Sequence, residues 1–175
     1  STSLRYAGDK FNESIITYMR KTHNLLIGEK TAEQLKINIG CAMLDLDEDG
    51  NESIVYMDAR GRDIINGLPK TISVSNKDML YALQESVDLV IDAIKSTLEK
   101  TSPEIAADIA VNGLVLSGGG ALLKNLDKVI EQKTNMAVTV SENAFEAVAL
   151  GAGNSLRNIE KLRRYANNKL AEKYR

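Results

Sequence analysis

The sequence predicts an α/β fold with long helices, on the basis of three observations. Apolar residues recur at three- and four-residue steps in several stretches, which is the period of an amphipathic helix. Short apolar runs bounded by glycine and asparagine are typical of strands. In the last third of the chain, strand and helix patterns alternate, and this order indicates parallel strands joined by a right-handed crossover.

The first third of the chain carries two helix patterns. The apolar residues of the first pattern fall on one helical face: Phe11, Ile15, Ile16 and Met19. They predict a helix over residues 9–20, with Asp9 as the N-cap because its carboxylate can accept the free N–H groups of the first turn. Thr31 and Gln34 have the spacing of a capping box, which predicts a second helix that Thr31 caps and that ends at about Ile39.

Two strands and a long helix are predicted next. Residues 54–57 and 71–74 have the composition of strands, and Gly50 and Gly67 mark turns. Ser75 is in the position of an N-cap. It precedes an amphipathic helix whose apolar residues follow at helical steps: Met79, Leu80, Leu83, Val87, Val90, Ile91, Ile94 and Leu98.

The last third of the chain supplies the alternating pattern. Ser102 and Pro103 are expected to begin a helix, since proline is tolerated at the first helical position. Strands are predicted at residues 114–116 and 137–140, and helices at 121–133 and from about Asn143. Two strands are too few for a stable parallel sheet, and no further strand pattern is visible near either end.

Composition narrows the class of protein. The 175 residues are 43% hydrophobic and 26% charged, as in ordinary folded domains, and the net charge of −2 argues against nucleic-acid binding driven by overall charge. Cys41 is the single cysteine, so no internal disulfide can form. With no signal peptide and no apolar run near the roughly 20 residues of a membrane span, the chain is expected in the cytoplasm.

The strongest local signal for a ligand is the Ser-Gly-Gly-Gly-Ala run at residues 117–121, called the glycine turn below. Glycines between a strand and a helix let a ligand lie directly on the backbone, and N–H groups at a helix start favour an anion or a polar ring edge. The alternative is a tight turn without a ligand, and the pattern alone leaves both open. The turn is not a Walker loop, because Lys124 is not preceded by glycine and is followed by asparagine.

Glu33 and Lys36 are a second candidate, because a spacing of three residues places them on one helical face. A carboxylate there can hold two sugar hydroxyls, and the lysine stem can lie over a flat ring. Taken alone, the two residues favour the simpler interpretation of a solvated ion pair, worth roughly 0.2–0.5 kcal/mol.

Signals for metal binding or nucleophilic catalysis are weak. Residues 45–50 imitate the start of an EF-hand loop, but position twelve is Tyr56 instead of a bidentate glutamate, so a charged hairpin turn is predicted. His23 is the single histidine and Cys41 lies in an apolar stretch, which leaves little to build a catalytic triad. No metal ligand or catalytic residue is predicted.

The C-terminal stretch is basic. Residues 156–175 contain seven basic and two acidic residues, a local net charge of +5. An amphipathic helix of this composition can lie on an anionic membrane, and the alternative is a solvated helix that packs on its own domain. The candidates for membrane contact are Arg163, Arg164, Lys169 and Lys173.

Five segments together resemble one family, the bacterial actin homologues of the MreB type, which are rod shape-determining proteins. They are LRYAGD at 4–9, NLLIGEKTAE at 24–33 with KINIG at 36–40, GRD at 61–63 with NGLP at 66–69, GLVLSGGGALL at 113–123, and AVALGAG at 147–153. Their order and spacing are similar to the C-terminal half of the family over nearly the entire chain.

The resemblance implies an incomplete lobe of an actin-like (ribonuclease H-like) ATPase, with residues 8–75 as a smaller inserted α+β subdomain. Residues 76–175 form the larger α/β subdomain, which carries the glycine turn and a basic C-terminal helix. The implied ligand is ATP, with Mg²⁺ in the complete protein. By similarity, two segments line the adenosine side of the cleft: Glu33, Gln34, Leu35 and Lys36, with Glu33 on the ribose and Lys36 near the base, and Gly118, Gly119, Gly120 and Ala121 beneath the nucleotide.

The same resemblance implies a cytoplasmic, ATP-dependent filament that determines cell shape, at the inner face of the membrane and in contact with the cell-wall machinery. The family hydrolyses ATP, but its two phosphate-binding loops have no counterpart in these 175 residues. We therefore expect that this chain alone hydrolyses no appreciable ATP and binds adenosine weakly. The alternatives are a lobe of a sugar kinase or heat-shock chaperone of the same superfold, or an adaptor without nucleotide.

Overall fold

The computed structural model describes residues 8–159 and Arg163. The described elements follow the α/β order: α1 (Gly8–His23), β1 (Leu25–Leu26), α2 (Glu29–Ile39), β2 (Tyr56–Asp63), β3 (Pro69–Ser75), α3 (Asn76–Glu99), α4 (Pro103–Asn112), β4 (Leu114–Leu116), a 3-10 turn (Gly119–Leu122), α5 (Leu126–Thr134), β5 (Val138–Val140) and α6 (Ala147–Arg157).

Strands β1, β2 and β3 form an antiparallel sheet in that order. The prediction of a strand at residues 54–57 is wrong in its bounds, because β2 begins at Tyr56 and continues to Asp63. Gly61 makes this extension possible: a Cβ at this position would lie 2.4 Å from the carbonyl oxygen of Leu26. The glycine thus lets β1, a strand too short to show a period, approach β2.

Helix α2 begins earlier than predicted, and the capping box at Thr31 is wrong. The N-cap is Gly28, which has extended backbone and no side-chain cap bond. The amide of Ala32 donates to the carbonyl of Gly28 at 3.1 Å, which closes the first helical turn ahead of the expected start. Thr31 therefore lies inside the helix, where its hydroxyl cannot serve the N-cap position.

The cap of α3 is confirmed. The Ser75 hydroxyl accepts from the amide of Asp78 at 3.1 Å, and an Asp78 carboxylate oxygen accepts from the amide of Ser75 at 2.8 Å. These reciprocal bonds form a capping box. The predicted start of α4 at Pro103 is also confirmed, and Ser102 occupies the N-cap position without a side-chain cap hydrogen bond.

Strands β4 and β5 pair in parallel, as predicted, with Leu114 opposite Val138. The helix expected at residues 121–133 begins instead at Leu126, because Asn125 has a left-handed backbone (φ 61°) that separates the 3-10 turn from α5. The last helix starts at Ala147 rather than near Asn143, after a turn in which the Glu146 amide donates to the Asn143 carbonyl.

One hydrophobic core joins the two sheets. Helices α1, α2 and α3 and the first sheet supply most of it, while α5 and β5 add Leu126, Ile130 and Val138. It therefore crosses the predicted subdomain boundary at residue 75, and the division into two subdomains stays a prediction. Helices α4 and α6 contain no buried residue. Within residues 8–159, no helix combines the length and apolar character needed to cross a bilayer.

Candidate functional site

The glycine turn follows β4 and leads into the 3-10 turn. Gly118 has a φ of 87°, which favours glycine whatever the space around it. Its amide donates to the carbonyl of Ala144 at 2.6 Å, and its carbonyl accepts from the amide of Ala121 at 3.1 Å. The first bond holds the loop against the turn that precedes α6, and the second closes the glycine turn on itself.

At Gly119 and Gly120, the other two glycines of the turn, the space that a Cβ would occupy is open. Among the described residues, a Cβ added to Gly120 would meet no heavy atom within 4 Å, and one added to Gly119 would meet only the Phe145 ring, at an ordinary 3.5 Å. Neither glycine is required by packing within the described part of the chain. The open backbone surface is the arrangement that a closely bound ligand needs.

The predicted residues of α2 have different environments. Glu33 and Gln34 are exposed, whereas the side chain of Leu35 is fully buried in the core, so only its backbone can face a ligand. Lys36 is half-buried and its Nζ donates to the carbonyl of Gly8 at 3.3 Å. This contact holds the lysine beside the start of α1 rather than in an ion pair with Glu33.

The two candidate segments are connected through the residues that follow each of them. Cys41 pairs with Lys124 in an isolated parallel bridge, and the Ala42 amide donates to the Lys124 carbonyl at 2.8 Å. Burial raises the pKa of the Cys41 thiol, in keeping with an inert side chain. That the glycine turn and the Glu33–Lys36 segment converge on one pocket stays a prediction.

A polar groove between α1 and α3 was not foreseen from the sequence. Its volume is about 360 Å³, and its walls include Lys10, Thr17, Tyr18, Tyr81 and Glu85. The sequence signal that could have indicated this groove is a set of polar residues on the otherwise apolar faces of α1 and α3. Two of them, Ser14 and Ser86, share a hydrogen bond of 2.9 Å between their hydroxyls.

The Asp78 carboxylate contacts Tyr18, one of the residues that line this groove. Tyr18 donates to it at 3.1 Å, and His23 Nε2 lies 3.4 Å from the same oxygen. Burial opposes ionisation of Asp78, but the hydrogen bonds from Ser75 and Tyr18 and the charge of His23 outweigh it and hold its pKa below the ordinary value. Burial, together with the Asp78 carboxylate, raises the pKa of Tyr18.

The acidic stretch at residues 45–50 forms a tight turn, as predicted. An Asp47 carboxylate oxygen accepts from the amides of Asp49 and Asn51, at 3.0 and 2.7 Å, and Leu46 bridges Glu52 in antiparallel fashion. In the part of the chain that the structure describes, no group of three or more His, Cys, Asp or Glu side chains is placed to hold a metal ion.

The basic tail lies largely outside the described residues. Arg163 is helical and exposed. Arg164, Lys169 and Lys173 lie outside the described residues, so the basic C-terminal helix and its membrane contact stay predictions.

Comparison with known proteins gives a consistent result. The family model described as MreB/Mbl protein matches residues 1–164. The cell shape-determining protein Mbl of Bacillus subtilis (strain 168) is 41% identical over 162 residues, covering 93% of this chain and 47% of Mbl. MreB5 of Spiroplasma citri bound to AMPPNP superposes with a TM-score of 0.85 at 31% identity, over 94% of this chain and 48% of MreB5.

A more distant structure, the MamK double helical filament, matches with a TM-score of 0.64 at 18% identity over 82% of this chain. At that identity the similarity shows the fold alone. The predicted fold class, an incomplete actin-like α/β lobe, is confirmed, and the chain spans about half the length of the curated relatives it matches. The chain belongs to the MreB/Mbl family.

Proposed function

We propose that this chain is the C-terminal part of an ATP-dependent, filament-forming cytoskeletal protein that determines cell shape, and that it supplies the adenosine side of the nucleotide cleft. Family membership and the cell-shape role in the name of Mbl support the proposal. The structure of MreB5 with AMPPNP supports a nucleotide as the ligand. These relations favour the MreB type over the sugar-kinase and chaperone alternatives.

The observation that carries the site assignment is the open backbone surface at Gly119 and Gly120. A flat purine ring can lie against such a surface because no side chain intervenes. The exposed Glu33 supplies a carboxylate for the ribose hydroxyls, and Gln34 lies beside it on the surface of α2. The aliphatic part of the Lys36 side chain lies near the base.

In this proposal the remainder of an MreB-type protein holds the phosphates and Mg²⁺. ATP that contacts both lobes favours the closed arrangement over the open one, and the closed arrangement is the one that polymerises. The second sheet and its helices expose apolar residues, among them Val111, Val115 and Val148. In this proposal the rest of such a protein covers them.

A titration of the ¹⁵N-labelled chain with adenosine tests the site. We expect weak, saturable shifts at residues 118–121 and at Glu33 and Lys36. Gly120→Ala places a methyl group in the open space and should abolish the shifts, whereas Gly151→Ala, a matched substitution in the exposed helix α6, should leave them unchanged. Shifts scattered over the surface, or equal effects of the two substitutions, would reject the site.

Three further assays test the alternatives and the expected lack of ATP hydrolysis. Equilibrium dialysis with labelled ATP distinguishes an adaptor that binds no nucleotide, because an adaptor retains none. Light scattering of the complete gene product with ATP tests polymerisation, which a sugar kinase or chaperone lobe would not support. Phosphate release by this chain with ATP and Mg²⁺ should stay at the background rate.

For the basic tail we propose contact with an anionic membrane at the cytoplasmic face, where the filament would meet the cell-wall machinery. The supporting observation is the local charge of +5 over residues 156–175. Deletion of residues 163–175 should reduce co-sedimentation with vesicles that contain phosphatidylserine, and salt should weaken the binding of the full chain. Unchanged co-sedimentation would reject this role.

A further inference from the structure

Asn125 links the segment after the glycine turn to the segment after α2. It lies between the 3-10 turn and α5 and is 7% exposed. Its side-chain amide donates to the carbonyl of Met43 and to Oδ1 of Asp45, both at 2.8 Å. The two partners precede it by 82 and 80 residues, so these bonds fasten together distant parts of the chain.

Asp45 also forms an ion pair. Its Oδ2 lies 2.6 Å from Nζ of Lys124. Hydrogen bonds from Lys124 and Asn125 hold the pKa of Asp45 below its ordinary value. Because the side chains of this ion pair are 61% and 34% exposed, solvent screens it, and the buried amide of Asn125 is the stronger part of the connection.

Backbone hydrogen bonds continue the connection in both directions. The Leu123 amide donates to the Gly120 carbonyl at 3.2 Å, on the side of the glycine turn. On the other side, the Gly40 amide donates to the Lys36 carbonyl at 3.1 Å, and a Cβ on Gly40 would lie 2.2 Å from that oxygen. Asn125 and Asp45 therefore join two segments that are each tied to a residue of the proposed adenosine site.

The backbone of Asn125 explains why asparagine suits the position. Its φ of 61° lies in the left-handed region, which asparagine and glycine tolerate better than other residues. Glycine would keep the backbone conformation but would remove both side-chain hydrogen bonds. The substitution Asn125→Gly therefore separates the role of the amide from that of the backbone.

We propose that Asn125, held by Asp45, is a positioning residue that keeps the glycine turn at a fixed place relative to α2, so that the two walls of the adenosine site retain their spacing. This inference rests on the proposed function. Asn125 itself touches no nucleotide in this proposal and acts through Gly118, Gly119 and Gly120.

The experiment compares four variants of the full chain with the unmodified protein. Asn125→Gly and Asp45→Ala break the connection, and Asp45→Asn keeps an oxygen that can accept from Asn125. Asp47→Ala is the matched control, because Asp47 lies in the same turn and its described side-chain hydrogen bonds are accepted from the Asp49 and Asn51 amides of that turn. The readouts are amide hydrogen exchange at residues 118–121 without ligand, and the adenosine Kd from the ¹⁵N titration.

We expect faster exchange at residues 118–121 and a Kd about fivefold higher for Asn125→Gly and Asp45→Ala, the effect of about one lost hydrogen bond. Asp45→Asn should recover part of the affinity, and Asp47→Ala should match the unmodified chain. Exchange in the core helix α1 should stay unchanged in all four variants, which separates local positioning from general destabilisation.

Equal exchange at residues 118–121 in Asn125→Gly and Asp47→Ala would overturn the positioning role, whether or not adenosine binds. An equal Kd in those two variants would overturn it as well. Failure of the proposed function has a different signature: the unmodified chain shows no adenosine shifts at residues 118–121, while exchange still distinguishes Asn125→Gly from the control.

Discussion

Residues 8–99 and residues 100–159 differ in how many of their apolar residues are buried in the core. The first region supplies 15 of the 19 residues in the hydrophobic core cluster, and its three helices pack on a three-stranded sheet. The second region supplies four, and its helices α4 and α6 contain no buried residue although both carry large apolar side chains. Val111 is 86% exposed and Val115 is 71% exposed.

This difference shows that an amphipathic pattern indicates which face of a segment can be buried. Whether that face is buried depends on the segment that packs against it. The first region contains most of the residues that pack against its own apolar faces. In the function proposed above, the remainder of an MreB-type protein covers the exposed apolar side chains of the second region. Four predictions, from the largest expected effect to the smallest, test this contrast.

Truncation of a core side chain in the first region should have the largest effect. Leu83 in α3 is fully buried, so Leu83→Ala removes packed methyl groups and leaves a cavity. We expect a loss of about 2–5 kcal/mol in the free energy of unfolding, measured by urea denaturation. Val148→Ala, at a side chain that is 73% exposed, should change it by less than about 0.5 kcal/mol. Equal losses would contradict the contrast between the regions.

Glycines should differ between the regions as well. Gly61→Ala forces a methyl group against the Leu26 carbonyl and should separate β1 from β2, at a cost of about 1–3 kcal/mol. Gly120→Ala meets open space and should leave the free energy of unfolding within about 0.5 kcal/mol. Thermal unfolding followed by circular dichroism measures both, and a stable Gly61→Ala chain would show that β1 is dispensable.

The two helices that begin with serine offer a smaller, matched comparison. Ser75→Ala removes the hydrogen bond that the Ser75 hydroxyl accepts from the Asp78 amide and should cost about 1 kcal/mol in the free energy of unfolding. Ser102 makes no side-chain cap bond, so Ser102→Ala should cost only about 0.3 kcal/mol. If the two substitutions cost the same in urea denaturation, the capping box does not stabilise α3.

Acid should weaken the first region by a modest amount through Asp78. The pKa of Asp78 is lower in the folded chain than in the unfolded one. Its contribution to stability is therefore present above the ordinary aspartate pKa of about 3.9 and is lost as the pH falls through the lower folded pKa. Asp78→Asn should reduce the slope of unfolding free energy against pH in that window, and an unchanged slope would remove Asp78 as the cause.

Local chemistry made several elements predictable. The apolar residues of α3 lie at helical steps after Ser75, and the structure has the predicted cap and a helix of 24 residues. Pro103 marks the start of α4, and the short apolar run at residues 114–116 is the strand β4 that pairs in parallel with β5. In each case the signal lies within a few residues of the element.

Other features depend on distant residues and were missed or misplaced. Strand β1 has two residues and exists because Gly61 admits it to the edge of β2. Helix α2 begins ahead of Thr31 because the Gly28 carbonyl captures the Ala32 amide. The break before α5 follows from the left-handed backbone of Asn125, whose side chain bonds residues about 80 positions away.

The candidate site divides in the same way. The exposure of Glu33 and Gln34 and the burial of Leu35 follow from the helical period of α2, and the open glycine turn follows from its composition. The contact of Lys36 with the Gly8 carbonyl, the polar groove between α1 and α3, and the link between Asn125 and Asp45 each require two segments to meet. The residue spacing within one segment does not predict contacts of this kind between two segments.

For this protein the sequence by itself determined the family, the order of the helices and of strands β2 to β5, and which faces are apolar, because these properties depend on residue type and on short spacings. The tertiary structure decided which apolar faces are buried within the described residues, where α2 and α5 begin, and that Asn125 bonds Met43 and Asp45. Burial and long-range hydrogen bonds depend on atoms that come together only when distant segments pack.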